Sequence, residues 1–383
     1  MLMHQSVAPA STVPFRIAEN AIIVDATVNG RACALMFDTG FGAAIEMGDN
    51  INIGKQTGSI GIIDFVGSFE AATVKITSLK LGDKVIDTKG MTEAVMGRGD
   101  YTDAYGMHCD GTMGFEVIKN NITGINYQHS RFEFYPSTMD ISKWVPDNKR
   151  TFLLKLLPTG HSALELSAET PGGQKLVLAL DTGNAFYATT HRDVLERVGL
   201  WESANTPKFM RQSGVASGPV DSWSLKLKDM KIFGVPVGSS VWDIIDLPSA
   251  TAGGDGTVGF GFLHNFNIIV DYDRRRIWLE NYTGKTSDEE LGEPGISVFP
   301  DSRGQAKVYL VTPNSPAEKA GIKKGDILLS VDSEDIPNHA GYSRLRRMLQ
   351  GAIGSKVKLA LSTDGDLRRY ELERIGLFNE PVK

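Results

Sequence analysis

The sequence predicts a mainly β chain made of two equivalent halves followed by a smaller α+β unit, and three observations carry that prediction. Asp38-Thr39-Gly40 returns as Asp181-Thr182-Gly183, each copy following an apolar run. Asp110-Gly111-Thr112-Met113-Gly114-Phe115 returns as Asp255-Gly256-Thr257-Val258-Gly259-Phe260, a step of 145 residues against 143 for the first pair. Two landmarks that keep their spacing mark a duplicated unit. Beyond Gly295 the pattern changes from short alternating runs to strand, turn and helix signals in close succession.

In chain order, residues 1 to about 15 are small and polar with two prolines and read as a loose leader, 1–16. From Ile17 short β-patterned runs alternate with Gly, Asn and Asp turns, and Asn29-Gly30 is a strong hairpin signal feeding the strand that ends at Asp38. Asn120, Tyr127 and Arg131 echo as Asn265, Tyr272 and Arg276, and each half closes on an alternating strand, Arg131–Tyr135 and Arg276–Glu280. Helical pattern is sparse here, the clearest being His191 to Val198 with Gly199 as its stop. The interruptions at 137–150 and 281–294 divide the chain into a first half, 17–142, a second half, 143–284, and a C-terminal unit, 290–376. In that last unit Val308–Val311 reads as a strand, Ala317–Ala320 as a short helix stopped at Gly321, Ile327–Val331 as a buried strand, Tyr342–Gln350 as a second helix and Lys356–Leu361 as a closing strand.

With 383 residues, 41% hydrophobic and 22% charged, the chain can bury two or three cores of ordinary globular type. A formal charge of −6 without a basic block argues against nucleic acid as a partner. No apolar run approaches the roughly 18 residues needed to span a bilayer. The first ten residues lack the basic and apolar regions of a signal peptide. Cys33 and Cys109 are the two cysteines, too few for a cysteine-built zinc site. Their parallel positions place them on neighbouring strands, as buried thiols or as a disulfide in an oxidising compartment. The seven histidines are scattered, so neither a metal nor a cofactor is expected.

The two tripeptides set the chemistry. Two carboxyl groups brought to about 3 Å cannot both ionise, so they share a proton and can act as acid and base together on an amide and a water. Asp38 and Asp181 are the candidate catalytic residues, and which of them is the base is left open. Thr39 and Thr182 offer hydroxyls that can bond across a two-fold axis, and Gly40 and Gly183 let backbone N–H groups approach the carboxylates.

The stretch Gly256–Phe266, continuing through Val270-Asp271-Tyr272 to Ile277-Trp278-Leu279, resembles the second-lobe signature of pepsin-like and retropepsin-like aspartic proteases. In that family an apolar-apolar-Gly strand passes through the loop that carries each catalytic Asp; Met113-Gly114 and Val258-Gly259 match it. The resemblance spans about 17–280 and implies two pseudo-symmetric acid-protease β-barrel lobes, an aspartic-type endopeptidase acting on a polypeptide substrate, and a monomer whose site is complete within one chain. The match departs at Phe41 and Asn184, where the family has a small residue, and no tyrosine lies between Phe41 and Gly99 for the flap. The flap is then Thr57–Gly61 or Phe65–Phe69, with Phe65 or Phe69 in the tyrosine's place; Ser213–Gly218 corresponds in the second lobe. These departures motivate an alternative, a non-catalytic scaffold that holds peptides without cutting them.

The run Asn314–Leu328 resembles a PDZ domain of the kind attached to bacterial proteases, over about 290–375. Such domains bind an extended peptide C-terminus by adding it as a strand. By position the receiving residues are Gly295, Ile296, Ser297 and Val298. The resemblance also implies a periplasmic or secreted protein. Gly160-His161-Ser162-Ala163-Leu164 lacks the final Gly of a serine-hydrolase elbow, Gly284-Lys285-Thr286 lacks the first Gly of a phosphate loop, and Asp271 to Arg276 reads as a solvated turn.

Overall fold

A computed structural model describes residues 7–63, 68–97, 105–158, 163–202, 210–215, 218–249 and 254–378. In the first half, strands Ala21–Val28 and Arg31–Asp38 form the expected hairpin. Asn29 and Gly30 at its turn have φ of 49° and 79°, the positive values that match turn twist to strand twist. Strand Gly111–Gly114 then lies parallel to Arg31–Asp38, with Gly114 opposite Asp38. The second half repeats the device: Gly256–Val258 runs parallel to Lys175–Leu180, with Val258 opposite Leu180. The two motifs sit in separate sheets of ten and seven strands.

A six-stranded sheet joins the halves, and its register carries the duplication. Strand Ile122–Asn126 pairs antiparallel with Phe266–Asp271, Thr123 opposite Val270 and Ile125 opposite Ile268. Adding the 145-residue step turns Thr123 into 268 and Ile125 into 270, so the pairing maps onto itself about Gly124 and Ile269. The outer strands are paired alike, Thr151–Lys155 with Arg276–Asn281 as Ser11–Pro14 with Arg131–Tyr135, with a step of 141 residues in place of 145: Phe152 lies opposite Leu279 in the second half as Ser11 lies opposite Phe134 in the first. Residues 11–14, expected to be loose, are therefore a strand because the first half needs the partner that Thr151–Lys155 gives the second. Composition hid it, since Pro14 lies at the strand's end, where no ladder donor is required.

One apolar core runs through both halves, from Phe37, Phe132 and Phe134 to Trp242, Phe262 and Phe266. Each such side chain contributes roughly 1.5–3 kcal/mol by leaving water. The C-terminal unit has its own core, including Val308, Leu328, Leu345, Leu359 and Leu361. Its elements follow the sequence pattern: strands Ala306–Val311, Ile327–Val331 and Lys356–Thr363, with helices Pro316–Lys319 and Tyr342–Leu349. Ser315 caps the first of these helices, accepting a hydrogen bond from Glu318 N–H at 3.3 Å. The second-half helix is Arg192–Arg197, close to its expected range. Asp271 is not solvated as expected: it is buried and paired with Arg274 at 2.9 Å, because strand Phe266–Asp271 is covered up to its last residue. The segment 281–294 is fastened to the second half, with Asp288 N–H donating to the Ser239 carbonyl at 2.9 Å. No helix among the described residues is long and apolar enough to cross a membrane.

Candidate functional site

Asp38 ends its strand and Asp181 follows the end of its own, so the two parallel-strand motifs deliver both carboxyl groups to the seam between the halves. The threonines lock the seam. Thr39 Oγ1 donates to the Leu180 carbonyl at 2.6 Å and accepts from Thr182 N–H at 3.0 Å. Thr182 Oγ1 donates to the Phe37 carbonyl at 2.8 Å and accepts from Thr39 N–H at 3.0 Å. These four bonds cross between the halves and are buried, where each is worth more than in water.

Each carboxylate is also held by its own loop. Gly40 and Phe41 N–H donate to Asp38 Oδ1 at 2.7 and 3.1 Å; Gly183 and Asn184 N–H donate to Asp181 Oδ1 at 3.0 and 3.1 Å. Each glycine faces the opposite aspartate. A methyl on Gly40 would come within 2.8 Å of Asp181 Oδ1, and one on Gly183 within 2.6 Å of Asp38 Oδ1. The absent side chains let the two carboxyl groups face each other across the seam.

Burial first, then the neighbouring Asp181, push the Asp38 carboxyl well above the usual carboxylate range. Burial raises Asp181 as well, while Asp38, the Gly183 and Asn184 N–H groups and Thr257 pull it back. Two carboxyl groups placed like this favour sharing a proton, and their titration belongs to the pair and not to either residue. Such a pair can give a proton and take one at the same place.

Several residues outside the expected set complete the site. Asn184 Nδ2 donates to Thr257 Oγ1 at 2.7 Å and Thr189 Oγ1 at 3.0 Å, tying the Asp181 loop to two strands. Its Oδ1 accepts from Phe186 N–H at 2.9 Å. The sequence showed Asn184 as a departure, and only the fold shows what it bonds. Gly114 and Gly259 are required where each parallel strand crosses its loop: a Cβ would fall 2.6 Å from the Phe41 carbonyl and 2.5 Å from the Phe186 carbonyl. Asp110 and Asp255 are latches, accepting from Ala34 N–H at 2.8 Å and Val177 N–H at 2.9 Å. Cys33 and Cys109 are buried free thiols, and burial, then Asp110, pushes the Cys33 thiol up to about 12, which keeps it unreactive.

The first flap candidate, Thr57–Gly61, lies on strand Gln56–Ile63, which forms a hairpin with Ser68–Val74. Phe65 lies outside the described residues, as do Gly160, His161 and Ser162. Ser213–Val215 lies on strand Met210–Val215, with 216–217 outside the described residues. At the C-terminal unit, Gly295 has φ of 92° and its carbonyl accepts from Thr312 N–H at 2.8 Å. Ile296, Ser297 and Val298 follow on strand Ile296–Pro300, which pairs with Ala306–Val311 and ends the order of its sheet. The Ser297 hydroxyl is buried without a partner among the described residues.

A PDZ domain family model matches residues 307–362. The C-terminal unit is a PDZ domain. Among curated proteins, the periplasmic serine endoprotease DegP of Escherichia coli K12 is 29% identical over 141 residues, 34% of this chain and 28% of that protein. The magnetosome formation protease MamE of Paramagnetospirillum magneticum is 39% identical over 62 residues, 16% of this chain and 8% of that protein. This chain thus spans less than a third of the relatives it matches. A solved photosystem II D1 C-terminal processing protease is 26% identical over 24% of this chain and 25% of its own, with a TM-score of 0.23, too low to bear on the fold.

These comparisons correct the activity expected from the sequence. The DegP relatives are serine endoproteases, so the aspartic-type, retropepsin-like endopeptidase assignment does not stand, and the non-catalytic scaffold gains no better support. The physical reason is that paired carboxyl groups define where a proton is shared. They do not by themselves name the group that attacks a substrate.

Proposed function

We propose that this chain takes part in polypeptide processing, with its PDZ domain holding an extended chain, and that Asp38 and Asp181 form a proton-sharing site at the seam of the two-lobed part. The observation that carries the reading is two carboxyl groups facing each other across the seam, Asp181 buried and Asp38 half-buried, each receiving two backbone N–H bonds beside a four-bond threonine lock. A shared proton in a buried, preorganised setting is uncommon outside reactive sites. Thr39, Gly40, Thr182 and Gly183 keep the pair in register. The lobes are 17–142 and 143–284, with the PDZ domain over 290–376. Gly295 to Val298, at the last strand of their sheet's order, are the residues that would receive a peptide C-terminus, once strand Met210–Val215, which lies against that strand, moves aside. The proteolytic relatives support a polypeptide as substrate, and the periplasmic DegP supports an exported location.

The test is cleavage of denatured casein by the full chain, by Asp38→Asn and by Asp181→Asn, with and without a serine-reactive fluorophosphonate. Both variants should lose cleavage while their unfolding transitions persist. Wild-type cleavage by both variants, abolished by the fluorophosphonate, would move the reactive centre to a serine and end this reading.

A further inference from the structure

The outer face of the six-stranded joining sheet carries a groove of about 270 Å³, whose lining includes neither Asp38 nor Asp181 and no residue of the PDZ domain. One row of residues crosses it. Glu133 lies opposite Gly124, Gly124 opposite Ile269 and Ile269 opposite Trp278, so four adjacent strands set these residues in a line on one face. With strands about 4.8 Å apart, the ends of the row are about 14 Å from each other. The 145-residue step of the duplication turns Glu133 into Trp278 and Gly124 into Ile269, so the row maps onto itself. A face that only closed the sheet could keep one residue at both ends. Here one end is a carboxylate, the other an indole, and the first-half middle has no side chain at all.

The open position exposes the carboxylate. A Cβ on Gly124 would come within 3.2 Å of Tyr135 Cε2 and 3.4 Å of Glu133 Oε2, so glycine leaves that side of Glu133 uncovered. Glu133 Oε1 is taken by the Arg131 guanidinium, at 2.8 and 2.7 Å, and by Asn126 Nδ2 at 3.0 Å. Oε2 accepts from the Tyr135 hydroxyl at 2.6 Å and has lone-pair capacity left. At the other end Trp144 stands edge-on to Trp278, with centroids 5.1 Å apart, and both line the groove. Asn267 lies opposite Glu280, which is exposed, lines the same groove and has no ion-pair partner among the described residues.

Charge and size select the occupant. Glu133 and Glu280, set against the Arg131 paired to Glu133, leave one negative charge unanswered at the groove. An indole attracts a cation held within about 6 Å of its ring centre. The volume lies below the roughly 300–1,000 Å³ of sites that enclose a whole small molecule, and suits one long side chain.

We propose that this groove is a separate binding site for a cationic side chain, arginine or lysine, of a polypeptide. The cation enters over Gly124, meets Glu133 Oε2 and Glu280, and lays its stem along Trp144 and Trp278. The site stands whether or not the carboxyl pair at the seam reacts.

The experiment is isothermal titration calorimetry of the full chain with acetyl-Ala-Arg-Ala-amide at low salt. The same peptide with citrulline in place of arginine removes only the charge, and N-acetylglucosamine serves as a neutral sugar control. The blocked ends keep the peptides from offering a C-terminal carboxylate to the PDZ domain. The arginine peptide should bind, with a dissociation constant on the order of 1 mM, and the two neutral ligands should not. Glu280→Gln should weaken binding about 2- to 5-fold, and Trp144→Ala about 2- to 30-fold, with thermal unfolding checking that each variant is folded. Equal binding of the citrulline peptide overturns the proposal. So does no saturable heat from the arginine peptide, or an affinity unchanged in both variants; should Trp144→Ala not fold, Glu280→Gln decides alone. Binding of the sugar without the arginine peptide would also overturn it, by making the groove a site for neutral ligands.

Discussion

Replacing Thr39 by valine keeps the side-chain shape and removes only the hydroxyl, so it isolates what the lock between the halves contributes. The hydroxyl makes two bonds, to the Leu180 carbonyl at 2.6 Å and from Thr182 N–H at 3.0 Å. Thr182 is fully buried, so its N–H has no water to turn to. An orphaned buried donor costs about 1–3 kcal/mol and a lost bond to the carbonyl about 1 more, for a total of about 2–4 kcal/mol. At about 2.1 cal/mol/K per residue, the roughly 270 residues of the two halves lose about 1.8 °C per kcal/mol, so the expected fall in melting temperature is about 4–7 °C. Urea unfolding followed by tryptophan fluorescence measures the free energy, with Thr39→Ser as the control that restores the hydroxyl. Because Thr39 and Thr182 share the same four bonds, Thr39→Val/Thr182→Val should cost less than the sum of the singles, with a coupling of about 0.5–3 kcal/mol. A loss under about 0.5 kcal/mol in Thr39→Val, or a serine variant no better than valine, would refute the lock.

The raised Asp38 carboxyl has a signed consequence for pH. The folded state keeps a proton that the unfolded chain releases near pH 4, so this group's contribution to stability falls as pH rises from about 4 toward the raised folded value. Subtracting the stability of Asp38→Asn from that of the wild type at each pH should leave this downward slope; a flat difference between pH 4 and 7 contradicts the shared proton. Gly259→Ala sets a methyl 2.5 Å from the Phe186 carbonyl, and backbone cannot yield cheaply. It should cost more than about 3 kcal/mol or abolish folding, whereas Gly42→Ala, with open space around it, should stay within about 0.5 kcal/mol in the same unfolding assay. Asp255→Ala removes the bond to Val177 N–H and the ion pair with Arg197, and thermal unfolding should record a loss of about 1–3 kcal/mol.

The central geometry was legible because the chain states it twice. A carboxyl pair needs Asp, a cross-bonding hydroxyl and a glycine in each half, and the crossing strand needs its own glycine; duplication places these at fixed steps that pattern reading can find. Ser11–Pro14 was not legible, since four residues beside a proline carry too little periodicity, and it is the strand's partner that makes it a strand. Asp271 was misread for a related reason: three arginines nearby imply solvent, but the strand is covered to its end and one of them serves as its ion-pair partner. Asn184 shows a further limit, because its bonds to Thr189 and Thr257 join strands that sequence spacing does not bring together. The activity class lay beyond the motif for a different reason. Asp-Thr-Gly repeated in two halves specifies a proton shared across a seam, which is a statement about electrostatics. The identity of the bond broken depends on what the cleft admits. Here the cleft's surroundings include a helix from a separately cored domain, whose Tyr342 and Arg346 meet Phe186. No repeat records that contact, because the PDZ domain occurs once.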